Sequence, residues 1–277
     1  VSAIASSLTI AGTDPTGGAG IQADLKSFQE REVYGMSVVT SVVAQNTTGV
    51  KAIQHLPLEL IEQQLDTVYQ DIVPDAVKTG MIATREMMEL LAGKLEGMNR
   101  PYVMDPVMVA KSGHTLMEEK SRQTLREKLI PLATIVTPNI PEAEILIGSP
   151  IKDLSDAKRA AKMMVEELGA RSAIVKGGHL SGEAVDVLYD KQDFHLFRSE
   201  RTETRHTHGT GCTFSAVITA ELAKGKTIPE AVATGKEFIT AAIRYTLGIG
   251  KGNGPTNHWG MRLRGLPGEA KGAESIE

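Results

Sequence analysis

The sequence predicts an α/β fold with a mostly parallel central sheet. Three observations carry that prediction. Short apolar runs alternate with stretches of helical periodicity along most of the chain. The runs are short and uniformly apolar, as strands buried on both faces must be. The length, 277 residues, is close to the size at which a single core stops growing, so one large domain is expected.

In chain order, a strand over 8–11 opens the series. A glycine-rich turn follows, and then Ile21, Leu25 and Phe28 fall at i, i+4 and i+7, one apolar stripe of a helix. The next strand is 38–44. Ile61, Leu65, Val68 and Tyr69 repeat the helical spacing, 76–78 reads as a strand, and Met87, Met88, Leu91 and Leu95 suit another covering helix. Further strands are expected at Tyr102–Met104, 134–136 and Ala173–Val175. Between the last two, Ala160, Ala161, Met164, Val165 and Leu168 form a stripe that Gly169 should terminate. Runs at Ala184–Tyr189 and 194–198 flank Asp190-Lys191-Gln192-Asp193 and suggest an antiparallel hairpin. A helix over 213–223 ends near Gly225, and Thr227 with Glu230 has capping-box spacing for a last helix to about Tyr245. After Gly248 the chain reads as irregular, so the prediction is one domain over 1–277 with an irregular tail beyond about 259.

Composition narrows the function classes. With 41% hydrophobic and 23% charged residues the chain is an ordinary globular one, not a disordered or fibrous one. A net charge of -4 offers no basic field for a polyanion, so no nucleic-acid partner is expected. The single cysteine, Cys212, cannot form an internal disulfide and fits a reducing compartment. No run is long enough to span a membrane and no signal-like segment opens the chain, so a cytoplasmic protein without a membrane partner is expected.

Two turns carry chemistry. Residues 12–20, Gly-Thr-Asp-Pro-Thr-Gly-Gly-Ala-Gly, lie between a strand and a helix, where amides and the helix dipole receive a polar ligand. No Gly-Lys-Ser/Thr ending follows, so this is not a P-loop. Gly18-x-Gly20-x-x-Ala23 matches a loose dinucleotide fingerprint, but Gln45-Asn46 stands where an acid is expected, which weakens an oxidoreductase reading. A turn that simply needs positive φ is the plain alternative. Asp14 and Asp24 favour a functional turn, Asp24 by facing back toward the loop as a hydrogen-bond acceptor.

The second turn, 207–212, precedes an apolar helix. Its amides should converge on one spot with roughly half a positive charge of helix dipole behind them. Gly209, Thr210, Gly211 and Cys212 are therefore candidate catalytic residues. At such a helix start a thiol of pKa about 8.5 can fall into roughly the 3.5–7.5 range and serve as base or nucleophile; a small buried hydrophobe is the alternative. His206, His208 and Cys212 lack a separate second ligand pair, so no structural metal is predicted.

At other strand ends, Asp105 is placed to organise Mg²⁺ through water, and Asn139 serves as ligand contact or N-cap. Glu142 is a further Mg²⁺ candidate, and Lys176 is placed to offset triphosphate charge. Among Met81, Met104 and Met108, only Met81 is assigned to a flat heteroaromatic ring.

Together, residues 9–14, 17–24, Lys78-Thr79-Gly80-Met81, Asp105-Pro106-Val107-Met108 and His208-Gly209-Thr210-Gly211-Cys212-Thr213 resemble the bacterial hydroxymethylpyrimidine/phosphomethylpyrimidine kinases of thiamine biosynthesis, over about residues 8–258. The resemblance implies a ribokinase-like three-layer α/β/α fold, ATP with Mg²⁺, a homodimer, and two successive phosphorylations of 4-amino-5-hydroxymethyl-2-methylpyrimidine. It places Asp24, Gln45 and Met81 on the pyrimidine, with Gly12 on the substrate side, and puts Cys212 where ribokinase relatives carry a catalytic aspartate. Pyridoxal kinases share the Gly-Thr-Gly-Cys turn and are the alternative. Gln45, whose amide donates and accepts in one plane, favours the aminopyrimidine. A non-catalytic vitamin-binding protein on the same fold is the reading from another class.

Overall fold

The computed structural model describes residues 4–109, 116–117, 120–179 and 184–265. Among them, nine strands form one sheet: β1 (Ser6–Gly12), β2 (Tyr34–Asn46), β3 (Gly49–His55), β4 (Ala76–Thr79), β5 (Tyr102–Met104), β6 (Ile135–Val136), β7 (Ala173–Val175), β8 (Ala184–Tyr189) and β9 (Phe194–Ser199). Their order is β3-β2-β1-β4-β5-β6-β7-β8-β9. The strands from β2 to β7 run parallel, while β3 at one edge and the β8-β9 hairpin at the other are antiparallel.

Successive residues of the central strands bury into opposite cores, as the period of two requires. Tyr102 and Met104 join one core and Val103 the other; Ala173 and Val175 separate from Ile174 in the same way. The first core is covered by α2 (Leu58–Asp71), α3 (Arg85–Leu95), the segment with Leu125, Leu129 and Ile130 that follows the short α4 (Ser121–Thr124), α5 (Ile140–Ile147) and α6 (Leu154–Glu166). The opposite face carries α1 (Gly20–Glu30), α7 (Thr210–Ala223) and α8 (Ile228–Arg244), packed through Phe28, Phe214, Ile218, Val232 and Ile239. The three layers match the sequence expectation. Every residue of α7 from Thr213 to Leu222 is buried, because the helix lies between α1, α8 and the sheet. That explains why its apolar residues are not confined to one face and why its buried Glu221 is paired with Arg31, Lys224 and Lys226.

Several elements depart from the sequence reading. β3 was not anticipated: Lys51, Ala52, Gln54 and His55 are exposed on an edge strand, so no apolar alternation marks it. After α4 the chain widens to π geometry over Leu125–Leu129 and tightens over Ile130–Leu132, a segment without a clean period. α7 begins at Thr210, three residues before the expected start at 213, so Cys212 lies inside its first turn. The expected irregular tail contains one helical turn, α9 (Gly260–Leu263), and residues 266–277 of it lie outside the described residues. Among the described residues, no helix is long and apolar enough to cross a membrane.

Candidate active site

The carboxyl ends of the parallel strands open into a cavity of about 940 Å³, where open α/β sheets bind ligands. Its walls come from the ends of β1, β4 and β5, the tip side of β2, the segments after β6 and β7, the end of β9 with residues 200–204, and the amino end of α7.

The two predicted turns meet there and interlock. Gly209, the N-cap of α7, has φ 80°, and a Cβ on it would run into the carbonyl oxygen of Gly18. Only glycine therefore brings the two backbones this close. Beside this contact, His208 Nε2 lies 2.6 Å from Asp14 Oδ2. Asp14 also accepts the amides of Thr16, Gly18 and Ala19 at 2.9, 3.2 and 2.8 Å. Burial alone would raise its pKa, but the His208 hydrogen bond and charge, together with Thr16, outweigh it and hold the carboxyl at about 2. Asp14 thus organises the turn from below and is wholly buried, rather than reaching a ligand as its sequence position suggested. In the first turn of α7 the Thr210 amide donates to Thr207 O at 3.3 Å and the Thr213 amide to Gly209 O at 2.9 Å, while the two amides between them have no carbonyl one turn earlier. Those of Gly211 and Cys212 belong to residues lining the cavity.

Opposite α7 stands a charged cluster. Lys176 Nζ is 3.5 Å from Asp105 Oδ1, and Ser215 and Thr137 donate to the Asp105 carboxylate at 3.2 and 3.4 Å. A Cβ on Gly211 would sit 3.4 Å from Lys176 Nζ and 3.5 Å from Asp105 Oδ2, so the first turn of α7 faces this cluster with no side chain between. Burial works against the Lys176 charge, yet Asp105 and Glu142 outweigh it and raise the ammonium above its ordinary value. Asn139 and Glu142 form a full capping box at the start of α5, each side chain accepting the other's amide at 2.9 Å. This gives Asn139 its structural role while both residues still line the cavity. Burial pushes the Glu142 carboxyl up to about 7, against the pull of Lys176. Asp105 and Glu142 together fit a Mg²⁺ that keeps most of its waters and takes further ligands from phosphate. Among the described residues no cluster of three metal-binding side chains converges.

Two sequence assignments need correction. Asp24 does not line the cavity. It is fully buried beneath it, with Lys78 Nζ at 2.9 Å and the Thr9 hydroxyl at 2.6 Å, because the helix turns its carboxylate onto β1 and β4 rather than toward the loop. Cys212 does line the cavity, but its thiol is not depressed: burial pushes it up to about 12. Lys78 pulls the other way, but its ammonium is already paired with Asp24, and Asp24 and Asp105 raise the thiol further.

Gly12, Gln45, Met81, Gly209, Thr210, Gly211, Asp105, Asn139, Glu142 and Lys176 all face the cavity. Met108, read as core filling, also lines it; Met104 stays in the core. His206 accepts the Gly254 amide on Nδ1 at 3.2 Å. Sequence reasoning missed Val43, Val107 and the Asp186–Lys236 pair, 2.9 Å apart on the far wall, where Asp186 also accepts the Gly177 amide at 2.9 Å. These residues sit in runs whose only sequence signal is apolarity or a lone charge.

A family model described as phosphomethylpyrimidine kinase matches residues 14–257. The hydroxymethylpyrimidine/phosphomethylpyrimidine kinase of Staphylococcus aureus is 52% identical over 266 residues, covering 95% of this chain and 96% of the relative. Among solved structures, phosphomethylpyrimidine kinase from Clostridium difficile aligns with a TM-score of 0.78 at 45% identity, over 86% of this chain and 99% of that one. An ADP complex of Bacillus subtilis pyridoxal kinase aligns with a TM-score of 0.88 at 44% identity, over 94% of this chain and 100% of that one.

Proposed function

The chain belongs to the phosphomethylpyrimidine kinase family, and from that premise we propose that it phosphorylates 4-amino-5-hydroxymethyl-2-methylpyrimidine with ATP, first to the monophosphate and then to the diphosphate, in thiamine biosynthesis. The observation that carries this reading is the facing of the α7 amino end and the Lys176–Asp105 cluster across a side-chain-free Gly211. A transferring phosphoryl group fits between them, stabilised by the amides of Gly209, Gly211 and Cys212 and by the Lys176 ammonium. Gln45 takes the edge of the aminopyrimidine, Met81 and Met108 lie against its faces, and Gly12 leaves room for the ring. Asp24 acts from beneath by pairing with Lys78. When bound, Mg²⁺ supplies charge neutralisation to the phosphates, and Asp105 and Glu142 are the side chains that would hold it. The substrate oxygen forms its bond to the γ-phosphorus as the bond to ADP breaks, and the hydroxyl proton leaves late, onto an oxygen of the transferring phosphoryl group and from there to solvent. Cys212 positions the hydroxyl, rather than withdrawing its proton as a standing thiolate. A homodimer in the cytoplasm is part of the same reading, carried by the family resemblance.

ADP release dependent on hydroxymethylpyrimidine, on its monophosphate, or on pyridoxal tests the proposal, and turnover with pyridoxal alone would defeat it. Pyridoxal kinase is the second reading, favoured by the close alignment with the Bacillus subtilis enzyme. A Gln45→Met change should move relative kcat/KM from hydroxymethylpyrimidine toward pyridoxal; an unchanged ratio removes Gln45 from the selectivity argument.

A further inference from the structure

The β2–β3 hairpin carries Gln45 almost at its tip. Gln45 pairs with Val50 and Asn46 with Gly49, and a bulge at Ala44/Gln45 leaves Lys51 as the extra residue and re-aims the strand. The turn closes on itself, Asn46 Oδ1 accepting the Thr48 amide at 2.9 Å and the Thr48 hydroxyl at 2.6 Å. Farther back, Thr13 ties the hairpin to the glycine-rich turn, donating its amide to Ser41 O at 2.9 Å and accepting the Val43 amide at 3.0 Å. Beyond Val43, among the described residues, the hydrogen bonds that leave the tip all pass through Thr47. Its hydroxyl accepts the Gly252 amide at 3.1 Å and its carbonyl accepts the Asn253 amide at 2.9 Å. The fit is tight: a Cβ on Gly250 would meet the Thr47 side chain, and one on Gly252 would meet the Thr47 carbonyl oxygen. From Gly254 the loop is bonded to His206 and His208, and His208 to Asp14. The tip is thus tied, through one residue, to the frame that holds the anion turn.

We propose that Thr47 is a specificity-positioning residue, whose hold on the 250–253 loop fixes the reach of Gln45 toward the edge of an aminopyrimidine. The inference rests on the reading that Gln45 contacts the pyrimidine. Thr47→Val keeps the shape and removes the hydroxyl acceptor; Thr47→Ser keeps the acceptor. With the full-length chain in steady-state assays, Thr47→Val should raise the KM for hydroxymethylpyrimidine by about fivefold, the worth of one lost hydrogen bond. The KM for ATP and kcat should stay within about twofold on the same scale, and Thr47→Ser should behave as wild type. In a Gln45→Ala background, Thr47→Val should add nothing, as expected of two residues acting through one contact. If Gln45→Ala leaves the pyrimidine KM unchanged, the Gln45 reading falls and the latch with it. If Gln45→Ala raises that KM and Thr47→Val does not, the latch alone is wrong. Equal rises in both substrates' KM values, or a Thr47→Ser variant as impaired as Thr47→Val, would mark a merely structural role and overturn the proposal.

Discussion

Replacing Cys212 with serine separates two mechanisms that the family's cysteine turn leaves tangled. With its thiol pushed up to about 12, five pH units above neutrality, only about one site in 10⁵ holds a thiolate at pH 7, and drawing one out costs on the order of 7 kcal/mol. The causes are local. Burial raises the thiol, and the cations that favour the thiolate are already paired, Lys78 with Asp24 at 2.9 Å and Lys176 with Asp105 at 3.5 Å. Serine preserves a hydroxyl that can accept the Gly20 amide now bonded to the sulfur. Loss of an essential base would lower kcat by about 10²–10⁴. Loss of one well-placed neutral contact costs roughly 1 kcal/mol, about fivefold. We expect Cys212→Ser to retain kcat/KM within about fivefold on that ground, with no pH limb between 7 and 9 that the wild type shows and the variant lacks. Coupled ADP-release kinetics over that range, with substrate affinity measured separately by calorimetry, make the comparison. A drop beyond about a hundredfold at unchanged affinity, together with a lost alkaline limb, would refute the reasoning and restore the thiolate.

Two further predictions concern the frame. Glu142 binds its proton more tightly when folded, near 7 against an ordinary 4.5, so between those values the folded state holds more protons than the unfolded one. The stability of the ligand-free protein should therefore fall as pH rises through that window, by on the order of 3 kcal/mol from this group. Urea denaturation of Glu142→Gln against wild type at pH 4.5 and 7.5 should show the difference, and parallel curves would contradict it. Glycine substitutions in the anion turn should divide cleanly. Gly209→Ala forces a Cβ onto φ 80° and into Gly18, so it should lower the melting temperature and abolish turnover together. Gly211→Ala meets only Lys176 and Asp105, at 3.4 and 3.5 Å, so it should leave the melting temperature near wild type and depress kcat with ATP. The reverse pattern would mean the phosphoryl group lies elsewhere.

Much of this molecule was legible because strands buried on both faces have a simple signature. β5 and β7 are legible to the residue, since each is a three-residue apolar run with a strand on both sides. β3 was not, because an edge strand can be polar on both faces and still complete its hydrogen bonds. Charge environment was the least legible quantity. Asp24 and Lys78 are 54 residues apart, and nothing in either neighbourhood announces that they neutralise one another under Cys212. A thiol at a helix start reads as activated only while the water and charges around it are unknown. The same holds for Asp14, whose conspicuous place in a glycine-rich turn suggested a ligand but whose oxygens are consumed by that turn's own amides and by His208.

These buried pairs explain how a site with a resting thiol can still transfer phosphate. In a loose transition state the attacking oxygen gains little bonding before the leaving group departs, so charge placement matters more than early proton removal. The chain spends its buried carboxylates accordingly. Asp105 and Glu142 keep Lys176 protonated despite burial, and Ser215, one turn into α7, holds Asp105 against the helix so that the ammonium and the free amides face one small space. Gln45 lies on the opposite side of the cavity, near the tip of a hairpin whose body is paired with β1 and whose outer part is tied to this frame through Thr13 and Thr47. On the proposed reading, selection of the ring and transfer of phosphate rest on different elements. The same transfer apparatus can then serve the hydroxymethyl and the phosphomethyl substrate, provided the ring stays seated while the acceptor oxygen changes.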